Sequence, residues 1–309
     1  MKRKLKKDSN LDIGYYVVAF IDLLGQQEYL RELKRLPNKQ NPSETEAFVR
    51  SLKQTYGVVT GMRDTFSNFF DGYSRHKSDI TQLSKEQRIQ YNELTSNPIK
   101  FQRFSDAMII YLSVATQQYK LPTAGIFGIL GAAASSFLCG LAAGHPLRGG
   151  IELGVGMEMT KGEIYGGALA KAYSLESKIA NYPRIVIGPE LISYLQMTAK
   201  QEAIDIYSTA GRQMAECCLE MIVVDDDGHA ILDYLGEGFK KHIAMELDIE
   251  VIRRAHNHVL TSSERFRREK NSKLSFRYTL LRGYFEEHLP IWVQKSSSTQ
   301  PDGCTRETT

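Results

Sequence analysis

Tyr15-Tyr16-Val17-Val18-Ala19-Phe20-Ile21 is an unbroken apolar run, rich in β-branched and aromatic residues, that ends on a carboxylate, Asp22. Such a run reads as a strand, and with no polar residue at every second position it has no face to give to water. The chain is therefore expected to build a sheet that covers this strand on both sides. Beyond Asp22 stands Gly25, then a helical pattern over about Gln27–Leu36 that Pro37 stops.

The rest of the chain alternates between the two periods. Ser43 with Glu46 forms a capping-box pattern that opens a helix to about Phe70. Residues 71–98 are polar and read as a surface insertion. Phe101–Leu112 is a second strand region interrupted by Ser105-Asp106, which predicts a hairpin with Asp106 at its tip. An Ala/Gly-rich apolar helix follows over Leu121–Ala143, then a strand at Arg148–Val155, a turn near Thr160–Gly162 and a helix over Gly167–Ala180. Arg184–Gly188 reads as a strand and Glu190–Leu195 as a helix. Glu220–Val224 and Ala230–Tyr234 form a hairpin turning at Asp225-Asp226-Asp227-Gly228. From Lys240 to Val293 the period is helical, broken near Asn271. This order of elements is that of an α+β domain. The expected organisation is a basic tail (1–11), a main domain (12–235), a C-terminal helical extension (236–293) and a disordered Ser/Thr/Gln-rich tail (294–309).

Composition excludes several classes. With 42% hydrophobic and 24% charged residues in 309, the chain is neither disordered throughout nor collagen-like. Its net charge is 39 − 36 = +3, and five positive charges fall within Lys2–Lys7; without them the body carries +3 − 5 = −2. The basic character belongs to the tail, so no nucleic-acid partner is expected. The four cysteines form no C-x-x-C pair, and Cys217 and Cys218, read as strand neighbours, point to opposite sides. That suits a reducing, cytoplasmic setting. No apolar leader follows the basic start. The Leu121–Ala143 stretch is long enough to span a bilayer, but it is read as a core or interface helix, so no membrane span is expected.

The chemistry-bearing feature is the pair Asp22 and Asp106. A carboxylate at the end of, or within, an apolar strand is costly to bury unless something compensates it. Two carboxylates on adjacent strand ends can share Mg²⁺ or Mn²⁺ through oxygen ligands. Leu23-Leu24-Gly25, leading into a helix start, offers backbone N–H groups to a phosphate. Other signals carry less. His256 and His258 lie two apart on a helix and face different sides, which leaves a solvated face. Asp225–Asp227 lacks the spacing of a calcium loop. Gly154-Val155-Gly156 lacks the third glycine of a dinucleotide fingerprint.

Phe20-Ile21-Asp22-Leu23-Leu24-Gly25 resembles the F-x-D-[IL]-x-G motif of class III nucleotidyl cyclases. Phe104-Ser105-Asp106-Ala107 resembles their second metal motif, and Arg148-Gly149-Gly150-Ile151-Glu152-Leu153-Gly154 their R-x-G-I-x-x-G strand. Gly166 to Ser177 keeps register with their G-x-x-x-N-x-A-x-R-L-E helix. The transition-state Asn and Arg fall on Ala170 and Ser174, the adenine-selecting Lys on Gln102 and its partner Asp on Glu163. With Ala172-Tyr173-Ser174-Leu175-Glu176-Ser177 and Tyr182-Pro183-Arg184-Ile185-Val186-Ile187, the pattern is similar to the Pycsar pyrimidine cyclases of bacterial antiphage defence.

The resemblance implies a mixed, mainly antiparallel sheet flanked by helices, with a ferredoxin-like core. It implies a homodimer with active sites at the interface, a pyrimidine nucleoside triphosphate substrate, and a separate effector protein that reads the cyclic nucleotide. Two Mn²⁺ or Mg²⁺ ions per site would be held by Asp22, Asp106 and the Ile21 carbonyl. With the Asn and Arg missing, Arg148, Lys171 and Arg103 are the candidate cations for the developing charge. Gln102 and Glu163, with Arg103, are the candidates for base recognition. The Gln102 amide matches uracil O4 and N3–H, or rotates to match cytosine. The expected product is cyclic UMP. The alternatives are cyclic CMP, a degenerate fold that binds nucleotide without turnover, and a dimerising scaffold.

Overall fold

The computed structural model describes residues 12–25, 35–38, 40–74, 84–86, 89, 99–114, 121–160, 162–243 and 247–293. Both predicted tails, nearly all of the predicted 27–36 helix and most of the 71–98 insertion lie outside the described residues.

The apolar run forms strand β1 (Asp12–Leu23), interior to one sheet. The other strands are β2 (Lys100–Phe104), β3 (Ala107–Ser113), β4 (Leu147–Thr160), β5 (Glu163–Gly166), β6 (Ile185–Ile187), β7 (Ile222–Val224) and β8 (Ala230–Leu232). Their order is β2-β3-β1-β4-β6-β8-β7, with β5 paired to the far end of β4. Among the described residues only β4 and β6 run parallel; the other pairings are antiparallel. This is the mixed, mainly antiparallel sheet expected.

Both faces of β1 are covered, as its unbroken apolarity requires. Val17, Ala19, Ile21 and Leu23 point into the larger core with helices α1 (Pro42–Ser74) and α2 (Pro122–Ala142). Tyr16, Val18 and Phe20 point the other way, against Ala168 and Ala172 of α3 (Gly167–Ser174). A π turn, Leu175–Ile179, continues α3. The remaining helices among the described residues are α4 (Pro189–Ala199), α5 (Ile206–Glu220), α6 (Glu237–His242), α7 (Ile249–Arg268) and α8 (Ser272–Val293).

The Ala/Gly helix α2 belongs to the core. It is long and apolar enough to cross a membrane, yet 83% of its most apolar window is buried. Its small residues let α1 approach: a Cβ on Gly128 would meet the Phe70 ring at 2.8 Å. The C-terminal helices share that core through Ile252, Val259, Leu281 and Phe285. Polar clasps fix α8 to the segment that follows β8. Tyr284 donates to Asp233 at 2.6 Å and Trp292 donates to the Leu235 carbonyl at 2.7 Å.

Several local expectations change. Helix α1 is capped by Asn41, whose Oδ1 accepts from the Glu44 N–H at 3.3 Å, with Pro42 in the first turn; the Ser43/Glu46 box is displaced by this better placed pair. Cys217 and Cys218 lie in α5, so they are helix neighbours rather than strand neighbours. His256 stacks on Phe285 and His258 lies near Ser262, so the two imidazoles are half-buried rather than solvated. Asp225–Asp227 is a turn, and it also pairs with the fully buried Arg184.

Candidate active site

Sheet register assembles the site. Asp22 at the end of β1 stands between Ala107 of β3 and Arg148 of β4. Ala107 follows the hairpin turn, so Asp106 arrives beside Asp22 from a distant part of the chain. The turn has two residues, closed by the pair Phe104–Ala107. Ser105 takes φ 52°, a left-handed conformation that costs a non-glycine residue about 1 kcal/mol or more. Strain of this kind is held in place where the surrounding structure fixes it.

A third carboxylate joins them. Glu176 sits in the π turn after α3, is 2% exposed, and forms an ion pair with Arg148. The Arg148 guanidinium also lies 3.6 Å from Asp22. The buried face that carries Glu176 is set by spacing, because Ala168, Ala172 and Glu176 recur at i, i+4, i+8. The fit against β4 depends on Gly150, where a Cβ would come within 2.4 Å of the Ala172 carbonyl oxygen.

The electrostatics follow from this crowding. Burial raises the Asp22 carboxyl from its ordinary 3.8 to about 7; Glu176 and Asp106 push in the same direction and Arg148 opposes them. Burial also raises Glu176, opposed by Arg148 and assisted by Asp106. Three carboxylates against one guanidinium give a formal −3 + 1 = −2 when ionised. Such a site gains from a divalent cation. Among the described residues no group of three or more His, Cys, Asp or Glu side chains is placed to hold a metal ion. An open pair of carboxylates still fits Mg²⁺ or Mn²⁺, which commonly take one or two carboxylates and complete the shell with water and phosphate oxygens. Ile21 is fully buried and pairs with both Met108 and Gly149 in the ladder.

The predicted phosphate loop is partly engaged already. The Leu23 N–H donates to the Asp22 carboxylate, and the Leu24 N–H donates to the Pro146 carbonyl at 2.9 Å. Gly25, at φ +89°, makes the turn that a side chain would strain.

Gln102 and Arg103 are neighbours on β2 and so face opposite sides of the sheet. Gln102 lies across from Ile109, on the α3 side, and lines a cleft of 690 Å³ with Phe20, Phe104, Tyr165 and Tyr173. Its Oε1 accepts from the Ile164 N–H at 2.9 Å, which aims the –NH₂ as a donor. Phe20 and Tyr173 meet edge to face at 5.2 Å. Arg103 lies across from Met108, on the α1 side, and with Arg63 lines a separate groove beside Asp106. Glu163 opens β5, is exposed, and does not line the Gln102 cleft. Lys171 is half exposed and pairs with Glu190 of α4.

The structure thus gathers Asp22, Asp106 and Arg148, sets Gln102 in an adjoining cleft, and ties Lys171 elsewhere. Sequence reasoning assigned no role to Glu176 or Arg63. The helical spacing of Glu176 with two alanines was the signal for the first. For the second it was Leu52, Tyr56, Val59 and Arg63 at i, i+4, i+7, i+11 along α1. Comparison with protein-family models, with curated proteins and with solved structures finds no match.

Proposed function

We propose that the chain is a metal-dependent nucleotide cyclase that converts UTP to 3′,5′-cyclic UMP and pyrophosphate, acting as a cytoplasmic homodimer. One observation carries the reading. Asp22 near the end of β1 and Asp106 of the β2–β3 turn come together at one end of the strands, beside the buried Glu176, with the Arg148 guanidinium paired to Asp22 and Glu176.

In the reaction the ribose 3′-oxygen attacks the α-phosphorus. The new P–O bond forms as the α–β bridging bond breaks; pyrophosphate leaves with the electron pair and the hydroxyl proton goes to water. Bound Mn²⁺ or Mg²⁺ would supply Lewis acidity to the 3′-hydroxyl and the triphosphate. Asp22 and Asp106 would hold it. Arg148 keeps Asp22 and Glu176 in place and is a positioning residue in this reading, its guanidinium already engaged by both. The Gln102 –NH₂ donates to a base carbonyl from a cleft walled by aromatic rings. Positioning and charge account for most of the acceleration. The exposed apolar side chains of Phe104, Tyr165, Tyr173 and Val155 offer a contact surface for the dimer.

A cytidylate cyclase is the second reading, and the Gln102 bond to Ile164 favours keeping it. With its carbonyl engaged, Gln102 presents a donor, which suits O4 of uracil and N3 or O2 of cytosine alike. Asp106→Ala tests the chemistry for either base. Product should vanish while the melting curve and the elution volume of the dimer stay those of the wild type. Substantial turnover in that variant would sink the assignment.

A further inference from the structure

We propose that Arg63 and Arg103 seat the terminal phosphates of the nucleotide in the groove beside Asp106. This rests on the nucleotide reading above and names residues for the part of the substrate that the reading leaves without a side-chain cation.

Two of the three cations expected to meet phosphate charge are occupied: Arg148 by Asp22 and Glu176, and Lys171 by Glu190. Arg103 and Arg63 have no carboxylate within ion-pair distance among the described residues. They nevertheless line one groove of 460 Å³ with Tyr56, Ser105 and Asp106. Arg103 is exposed on the hairpin and Arg63 half-buried on α1. Leu52 and Val59 form the apolar wall of the groove, which strengthens charge interactions inside it.

With two guanidinium groups and the one carboxylate of Asp106 lining it, the groove carries a formal +2 − 1 = +1 charge and favours an anion. Planar forks of N–H donors match phosphate oxygens in bidentate fashion. Asp106 closes one end of the groove. An ion held by Asp106 and a phosphate held by the arginines would then be neighbours, as a metal-bound polyphosphate requires. Two backbone donors of the Leu23-Leu24-Gly25 loop are engaged within the fold, so phosphate binding needs side-chain donors.

Titration calorimetry on the full-length protein with Mn²⁺ tests this, using inorganic tripolyphosphate, UTP and UMP in separate arms. Arg63→Ala and Arg103→Ala should each weaken tripolyphosphate and UTP at least tenfold and leave UMP unchanged. Arg63→Lys should recover part of the loss. Arg103 is exposed, so its variant keeps the test alive if Arg63→Ala misfolds. A tripolyphosphate affinity unchanged in both alanine variants would overturn the proposal, as would a wild type that does not bind tripolyphosphate. If UTP loses affinity as expected but tripolyphosphate does not bind at all, the groove is no phosphate seat. If tripolyphosphate behaves as expected and no cyclic nucleotide is ever formed, the groove stands and the cyclase reading falls. Cyclic product at wild-type KM from both variants would leave the cyclase and refute the groove.

Discussion

Asp22→Asn gives a direct reading of the charge stored at the end of β1. The folded protein holds the Asp22 proton up to about pH 7, whereas the unfolded chain releases it near 3.8. Between those values the unfolded state binds fewer protons, so stability falls as pH rises and levels off above 7. The full gap corresponds to roughly 4 kcal/mol at 1.36 kcal/mol per pH unit, and solvent reaching the part-exposed carboxylate reduces this to about 2–4 kcal/mol. Asparagine keeps the acceptor for the Leu23 N–H and carries no charge. In chelator, Asp22→Asn should match the wild type near pH 4 and exceed it by about 2–4 kcal/mol at pH 8. Millimolar Mn²⁺ should then stabilise the wild type, by about 2.7 kcal/mol at a hundredfold excess over Kd, and leave the variant unmoved. Urea unfolding at both pH values, with and without metal, measures all four quantities. A variant equal to or less stable than the wild type at pH 8 in chelator would show that the fold does not raise the proton affinity of Asp22.

Three further outcomes follow from packing and pairing. Gly150→Ala places a methyl 2.4 Å from the Ala172 carbonyl oxygen and 2.6 Å from the Leu175 Cβ, both on the segment that carries Glu176. It should cost about 1–3 kcal/mol by thermal unfolding and lower turnover even where the variant is fully folded; unchanged turnover would detach Glu176 from the site. Arg184→Ala strips the buried partner from Asp225 and Asp227 and should cost about 3–5 kcal/mol in urea unfolding. Lys171→Ala, from an exposed pair, should cost under about 1 kcal/mol and keep its product yield; a severe loss of turnover would return Lys171 to the catalytic machinery.

How far the sequence could be read depended on whether the informative neighbours were local. The continuous apolarity of β1 required cover on both faces, and α1 and α2 on one side with α3 on the other provide it. Ser105-Asp106 inside an apolar run marked a turn, and the hairpin tip is there. Both are one-dimensional signals. Glu176 lies in a π turn, where one extra residue re-aims the side chain, and its partner Arg148 sits on a strand distant in sequence. No local pattern announces that ion pair. Arg63 likewise gains its meaning only when α1 packs beside the β2–β3 hairpin. The sequence reading places no helix where α5 lies, because its apolar stripe is thin; the Asp205 cap, whose side chain accepts from the Ser208 N–H at 2.7 Å, is the legible mark of its start.

Incubating the purified protein with ATP, GTP, CTP and UTP separately, each with Mn²⁺, and identifying products by mass spectrometry tests the central claim most directly. Cyclic UMP should form from UTP, and none should form with the Asp106→Ala variant. Cyclic CMP alone would move the base and keep the chemistry. A cyclic purine nucleotide would contradict the roles given to Gln102 and its cleft, and the absence of product from all four triphosphates would contradict the cyclase itself.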